Sequence, residues 1–228
     1  MKIVYINGSI KGTHLSYSRT ITNYLIEELK KNLDEEILTD EIVARNLKIE
    51  TCEGCRTCMR KGQCHFDDEF PALAEKLTAA DVVIFGTGTY VANVSTDLKR
   101  LIERMYQMIH KRALTGKLGV LITTSFDAHM GEMNSYYIRN IMRHLGLAVV
   151  SEILYPVISW PRMTDEKLKG AVEKNAALLL ESYRTHAFPY AEPEFGMSLE
   201  QIVKNNPQMA SAISKFFKKD LQYWKDKI

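Results

Sequence analysis

Short apolar runs alternate with amphipathic stretches along most of the chain. Five of the runs predict buried strands, and the stretches between them repeat their apolar residues at the three- and four-residue spacing of helices. The predicted strands cover residues 3–6, 37–43, 82–85, 117–123 and 147–155. Helices are predicted over residues 16–32 and 70–79 and over the apolar repeats at 94–109, 138–145 and 168–183.

Strands that alternate with helices predict a parallel sheet with right-handed crossovers. The strand runs are almost continuously apolar, as expected when helices cover both faces of a sheet. We therefore predict a doubly wound α/β fold with a flavodoxin-like five-stranded parallel sheet of order 2-1-3-4-5. Ligands of such sheets bind beyond the carboxyl ends of the first and third strands. The loops that begin at Asn7 and Gly86 are the expected binding loops.

The pattern changes after residue 187. The segment 188–193 contains two prolines and ends the preceding helix, and Ser198 with Gln201 fits a capping box for a short helix. Pro207 then starts a predicted last helix. Its apolar stripe consists of Met209, Ile213, Phe216, Phe217, Leu221 and Trp224.

We predict two parts, a flavodoxin-like domain over residues 1–187 and a C-terminal helical extension over residues 188–228. An apolar stripe on so short an extension predicts packing against the domain or across a dimer interface. A lid over the active site is the alternative.

Composition narrows the class of protein only slightly. The chain has 228 residues, of which 46% are hydrophobic and 25% charged, which is typical of a globular protein. A net charge of +2 gives no reason to expect a nucleic-acid or membrane partner. The chain contains no apolar run of roughly 18 residues, and we do not expect its short N-terminal apolar run to be a secretory signal. We therefore expect a cytoplasmic protein.

The loop after the first predicted strand is rich in hydroxyl groups. Its hydroxyl and basic residues are Ser9, Lys11, Thr13, Ser16, Ser18 and Arg19. The loop matches neither G-x-G-x-x-G nor a Walker A motif. Hydroxyl groups in front of a helix N-terminus suit a phosphate monoester such as that of FMN. The alternative is an ordinary polar loop in which Ser16 caps the helix.

Two further polar loops are expected at the same edge of the sheet. Residues 86–95 contain Gly88, which permits close backbone approach, and Ser95, a predicted N-cap. Residues 123–131 follow the fourth strand and include His129. Three polar loops that converge favour a cofactor site more strongly than any one of them.

All four cysteines lie together, at Cys52, Cys55, Cys58 and Cys64. Their C-x2-C-x2-C-x5-C spacing could bind a 4Fe–4S cluster. Free thiols, a zinc site and a disulfide are the alternatives, although a reducing cytoplasm disfavours the last and structural zinc more often uses two separated C-x2-C pairs. The basic residues that could offset the charge of a cluster, or form an ordinary solvated loop, are Arg56, Arg60, Lys61 and His65.

Taken together, these motifs resemble a known family. G-S-x-K, S-Y-S and T-G-T-Y-x-x-N-x-S-x-x-L-K-x-x-I-E-R are similar to motifs of the flavodoxin-like NAD(P)H-dependent FMN reductases, over residues 1–185. Residues 51–58 and 62–68 resemble the cysteine segment of the iron–sulfur flavoprotein branch. Ile10 and Thr89 stand where many relatives have proline.

The resemblance implies which residues bind the cofactors. The implied FMN-binding residues are Ser9, Lys11, Ser16, Tyr17, Ser18, Thr87, Thr89, Tyr90, Val91, Asn93, Thr124 and Ser125. Of these, Thr89 to Asn93 are expected beside the isoalloxazine, and Thr124 and Ser125 near its other edge. The implied metal ligands are the four cysteines.

The resemblance also implies a function. NAD(P)H would pass a hydride to bound FMN, which would then reduce a quinone, a nitro or azo compound or another small acceptor. The alternatives are an iron–sulfur flavoprotein that carries electrons between ferredoxin-type partners and a zinc-stabilised binding module. The catalytic residues are not identified, and Tyr90 and His129 are the candidates. We expect a homodimer or homotetramer.

Overall fold

A five-stranded parallel sheet lies at the centre of the molecule, with helices on both faces. The computed structural model describes residues 1–11, 15–157, 166–194 and 199–227. The strands are β1 (Lys2–Asn7), β2 (Leu38–Val43), β3 (Val82–Gly88), β4 (Leu118–Ser125) and β5 (Ala148–Pro156). The helices are α1 (Tyr17–Asn32), α2 (Thr57–Lys61), α3 (Phe70–Thr78), α4 (Thr96–Arg104), α5 (Tyr106–Lys111), α6 (Ala128–His144), α7 (Glu166–Thr185), α8 (Leu199–Asn205), α9 (Pro207–Ile213) and α10 (Lys218–Lys227), and a short 3-10 helix covers Ala44–Asn46.

The strands are ordered β2-β1-β3-β4-β5, which confirms the predicted topology. All neighbouring strands are parallel, and Ile6 of β1 lies between Ile42 of β2 and Phe85 of β3. The register also places Asn7 beside Gly86, at the carboxyl ends of β1 and β3. Strand order reverses at β1 and β3, so the predicted ligand position is present in the fold.

Both faces of the sheet are buried, which explains why the strands lack a polar side. Alternate residues of β1 point to opposite faces, so Val4 and Ile6 pack in one core and Ile3 and Tyr5 in the other. The first core also contains Leu73 of α3, Leu98 of α4 and Ile138 of α6. The second contains residues of α1 and α7, among them Leu25 and Leu179.

Two apolar repeats each span a pair of helices. The repeat at 94–109 divides at Met105, whose N–H lies 3.1 Å from the carbonyl oxygens of both Leu101 and Ile102. The prediction of a single last helix from Pro207 was wrong, because α9 ends at Ile213 and α10 begins at Lys218. In both places the apolar spacing continues across the break, so periodicity could not reveal it.

The C-terminal extension packs back against the domain on the side of the cysteine segment, residues 51–68. Helices α8 to α10 enclose a small apolar cluster of their own that includes Leu221 and Trp224. Trp224 Nε1 donates a hydrogen bond of 2.7 Å to the carbonyl oxygen of His110 in α5. The proposed capping residue Ser198 lies outside the described residues. In the part of the chain described, no helix has both the length and the hydropathy of a membrane span.

Candidate cofactor sites

A cleft of about 350 Å³ opens at the carboxyl ends of β1, β3 and β4. It is lined by Ser9, Lys11, Leu15, Ser16, Tyr17, Gly88, Thr89, Tyr90, Thr124, Ser125, Phe126 and Val157. Most of the residues implied for FMN binding therefore meet in one cavity. Among the described residues, none of those lining the cleft belongs to the C-terminal extension.

The first wall of the cleft is the loop between β1 and α1. Buried Asn7 holds its start, because its Oδ1 accepts the Ser9 N–H at 3.0 Å. The hydroxyl of Ser9 in turn accepts the Lys11 N–H at 3.2 Å. Ser16 caps α1 and accepts the Arg19 N–H at 3.3 Å, which confirms the predicted cap. The free N–H groups of the first turn of α1 and these hydroxyls can bind an anion.

Only one of the two basic residues of this loop lines the cleft. Lys11 lies at its rim and is exposed to solvent. Arg19 is instead paired with Glu41 of β2, with Nε–Oε1 at 2.8 Å and Nη2–Oε2 at 2.7 Å. The hydrogen bond to Glu41 raises the pKa of Arg19 above its ordinary value. Its charge is therefore already compensated within the protein.

The second wall is a tight turn after β3. Tyr90 N–H bonds to the Asn93 carbonyl oxygen at 2.7 Å, and the reverse bond is 3.1 Å. Val91 and Ala92 both adopt left-handed backbone angles, with φ of 50° and 58°. This conformation is unusual for a β-branched residue, and such strain is often found at ligand sites. The Val91 side chain is 95% exposed at the tip of the turn.

Three hydrogen bonds fix the loops to one another. The Ile10 N–H donates to the Tyr90 hydroxyl oxygen at 3.2 Å. Ser95, confirmed as the N-cap of α4, donates its hydroxyl to the Gly8 carbonyl oxygen at 2.7 Å. The Thr89 N–H donates to the Thr124 carbonyl oxygen at 2.7 Å. The loops that form the walls of the cleft are thus held in place by hydrogen bonds within the protein.

Some predicted residues support the cleft or lie beside it rather than line it. The buried hydroxyl of Ser18 contacts that of Ser16 at 3.2 Å, and the Thr87 hydroxyl donates to the Gly88 carbonyl oxygen at 2.9 Å. The Asn93 side chain accepts the Val94 N–H at 2.8 Å. His129 is exposed in the first turn of α6 and is not among the residues that line the cleft.

Sequence reasoning missed Asn134, which supports the second wall from α6. It is fully buried, and its Nδ2 donates to the Gly88 carbonyl oxygen at 3.3 Å and to Thr89 Oγ1 at 3.1 Å. A buried polar residue among the apolar positions of α6 was the signal that could have identified it. Leu15, Phe126 and Val157, which give the cleft apolar walls, were also missed.

The four cysteines line a second cavity, of about 540 Å³. His65, Phe66, Glu103 and Tyr106 also line it. Among the described residues, the one group of three potential ligand atoms lying within 4.8 Å of one another is Glu53, Cys55 and His65. A tetrahedral zinc site would place four sulfurs about 3.8 Å apart. The thiols share a cavity but do not form so compact a set.

The thiols differ in their surroundings. Burial raises the pKa of Cys58 to about 11, and the negative charges of Cys64 and Asp220 add to the effect. Cys55 is exposed, and its hydrogen bonds with Thr57 lower its pKa. His65 Nδ1 lies 3.6 Å from the Cys55 sulfur. A thiolate is therefore more readily formed at Cys55 than at Cys58.

The sheet order and the cleft at its reversal point define a flavodoxin-like protein whose cleft has the N–H and hydroxyl groups that an anionic ligand needs. A sequence model of the family described as NADPH-dependent FMN reductase matches residues 1–160. The chain belongs to this family.

Relatives and solved structures agree with this assignment. A protein of Archaeoglobus fulgidus named iron-sulfur flavoprotein is 28% identical over 184 residues, covering 79% of this chain and 80% of the relative. A second iron-sulfur flavoprotein, from Methanocaldococcus jannaschii, is 31% identical and covers 64% of this chain and 75% of its own length. The solved FMN-dependent NADH-azoreductase of Bacillus anthracis, a complex with FMN, has a TM-score of 0.58 at 15% identity, covering 78% of this chain and 99% of that one. The last likeness bears on the fold alone.

Proposed function

We propose that the protein binds FMN in the cleft and uses it to transfer electrons from NAD(P)H to a small acceptor, such as a quinone or a nitro or azo compound. The proposal rests on the hydroxyl and N–H groups at the start of α1, which lie where the strand order reverses. Family membership supports the same assignment. Bound FMN would supply the redox chemistry, since it can exchange electrons singly or in pairs.

The residues of the cleft have separate tasks in this proposal. Ser9, Ser16 and the N–H groups of α1 bind the phosphate. Lys11 supplies the positive charge, because the charge of Arg19 is already paired with that of Glu41. Tyr90 and Thr89 present a ring face and a polar edge to the flat part of the cofactor.

Solvent is restricted by apolar side chains at the rim. Leu15 and Phe126 line the cleft although they are 70% and 69% exposed. Large apolar side chains at the rim of a cavity favour a flat aromatic ligand that covers them. We assign no proton transfer to His129, since it lies outside the lining of the cleft.

A second candidate function is electron transfer between ferredoxin-type partners through a cluster held by the four cysteines. It is favoured by the convergence of all four thiols on one cavity, in which the sulfurs lie farther apart than the four ligands of a tetrahedral zinc site. The names of the relatives support it. Cys52, Cys55, Cys58 and Cys64 would be the ligands, and the cluster would supply one-electron transfer.

Anaerobic purification followed by absorbance spectra and by flavin, iron and zinc analysis tests both candidates. Turnover of NADH and NADPH is then measured with a quinone and compared with electron uptake from a reduced ferredoxin. Fast NAD(P)H oxidation with a quinone supports the enzyme, whereas slow oxidation with fast ferredoxin-dependent reduction supports the carrier. Protein that contains no flavin and binds no added FMN would contradict both.

A further inference from the structure

Arg104 is a buried cation beside the cysteine segment. It ends α4, and its side chain is only 1% exposed. Its Nη1 donates to Asp68 Oδ2 at 2.5 Å and to the Glu50 carbonyl oxygen at 2.9 Å, and its Nη2 lies 3.2 Å from Asp68 Oδ1. A buried ion pair contributes little to the net free energy of folding. Stability alone therefore does not explain why Arg104 and Asp68 lie at this position.

These contacts join the two ends of the cysteine segment. Glu50 precedes Cys52 by two residues and Asp68 follows Cys64 by four, so one guanidinium bridges both. The Glu50 N–H also donates to Asp68 Oδ2 at 3.0 Å. Between these ends the only helix is the five-residue α2, and the remaining backbone is irregular. The spacing of the four thiols therefore depends on this closure.

The guanidinium also acts on the thiols through its charge. Phe66 lines the cysteine cavity, and its ring centroid lies 5.0 Å from Arg104 Cζ, so the guanidinium lies directly behind one wall of that cavity. The rings of Phe66 and Phe70 flank the guanidinium, with centroids 5.0 and 5.2 Å from Cζ. Arginine stays charged at any pH a folded protein survives, so this cation is permanent.

Resting on the proposed iron–sulfur site, we propose that Arg104 is its positioning residue: it holds the ligand spacing and raises the reduction potential. Uptake of one electron adds one negative charge to the site, and a fixed cation nearby favours that uptake. The Asp68 carboxylate opposes the effect. Removing the charge of Arg104 and removing that of Asp68 must therefore shift the potential in opposite directions.

Three variants separate charge from structure. Arg104→Met removes the cation and its hydrogen bonds, and Arg104→Lys keeps the cation with fewer donors. Asp68→Asn removes the anion but can still accept the Phe70 N–H, now 3.0 Å from Oδ1. Arg139→Met is the control, because Arg139 pairs with Glu152 of β5 and lies outside both cofactor sites.

Iron per chain and the midpoint potential, from an anaerobic titration followed by electron paramagnetic resonance, are the readouts. We expect a lower potential in Arg104→Met, a higher one in Asp68→Asn, a value near the wild type in Arg104→Lys and no change in Arg139→Met. If Arg104→Met retains no iron, a midpoint potential that is higher in Asp68→Asn than in the wild type still supports the inference. Equal potentials in the loaded variants, or shifts of the same sign, would overturn the inference.

Measurements on the wild-type protein distinguish failure of the inference about Arg104 from failure of the proposed iron–sulfur site. A wild-type protein that assembles no cluster after anaerobic reconstitution with iron and sulfide contradicts the carrier function, and the inference falls with it. A wild type that assembles one, with variants at the same potential, contradicts the inference alone.

Discussion

The cleft at the ends of β1, β3 and β4 and the cysteine cavity are held together by different means. The cleft lies at the ends of core strands, and backbone and hydroxyl hydrogen bonds join its loops, as from Ser95 to Gly8. The cysteine cavity lies on a segment with little regular structure. Its shape depends on side chains that are distant in sequence, Arg104 on one side and α10 of the extension on the other.

This difference predicts that the two sites can be damaged separately. A cleft built on the sheet should fail only when the loops or the core beneath them are disturbed. A cavity built on long-range contacts should be sensitive to changes far from the cysteines, in regions that do not touch the cleft. Variants on either side of the molecule test this separation.

Trp224→Ala should disturb the cysteine side alone. Trp224 is buried in the small cluster of the extension, and loss of a buried indole costs roughly 3–5 kcal/mol. We expect loosening of α10, measured by hydrogen exchange, faster alkylation of Cys58 and unchanged FMN affinity. Trp224→Phe keeps an aromatic ring without the 2.7 Å bond to the His110 carbonyl and should have a smaller effect. A loss of FMN affinity in Trp224→Ala would show that the two sites are not separate.

Gly8→Ala should disturb the cleft alone. A Cβ at Gly8 would lie 2.5 Å from Cδ2 of Leu98, which is fully buried and cannot move aside freely. Overpacking of this kind costs about 1–3 kcal/mol, and we expect weaker FMN binding by calorimetry.

Gly170→Ala provides the matched control. A Cβ there would meet nothing within 4 Å, and the residue lies inside α7, so a gain of about 0.5–1 kcal/mol is expected. Gly8→Ala with wild-type FMN affinity would contradict the assignment of this loop.

Ser16→Ala tests the phosphate contact. Loss of this N-cap costs about 1 kcal/mol of stability, and the hydroxyl is also a proposed phosphate ligand. We expect weaker binding of FMN but unchanged binding of riboflavin, which lacks the phosphate. Asn206→Ala removes the N-cap of α9 and should lower stability without affecting either ligand. A parallel loss for both ligands in Ser16→Ala would place the phosphate elsewhere.

The alkylation rates of the thiols test whether their surroundings differ. In metal-free protein at pH 8, iodoacetamide should modify Cys55 faster than Cys58, because the pKa of Cys55 is lowered and that of Cys58 is about 11. The difference should narrow as the pH approaches 11. Peptide mass spectrometry measures both rates, and equal rates at pH 8 would show that the two thiols are not in different environments.

Sequence patterns predicted the strands and the helix caps beside the cleft well, because both depend on local signals. Each predicted strand lies within three residues of an observed one at either end, and Ser16 and Ser95 cap the expected helices. A strand buried on both faces has a distinctive apolar run, and a cap is a property of a few adjacent residues.

The cysteine site was predicted only in part, because its supports are remote. The spacing identified the four thiols but not Arg104, whose partner Asp68 is 36 residues away. Arg104 is the last residue of the I-E-R motif, but nothing in that motif indicates that its side chain is buried. Arg19 shows the same limit, because its position beside the first loop gave no sign that it pairs with Glu41 of β2.

The most direct test is the flavin and iron content of a variant in which all four cysteines are changed to serine, measured beside the wild type. We predict iron and FMN in the wild type, and in the variant no iron but FMN bound with wild-type affinity. Loss of FMN binding from the folded variant, or iron retained without the thiols, would contradict the account of two separately built sites.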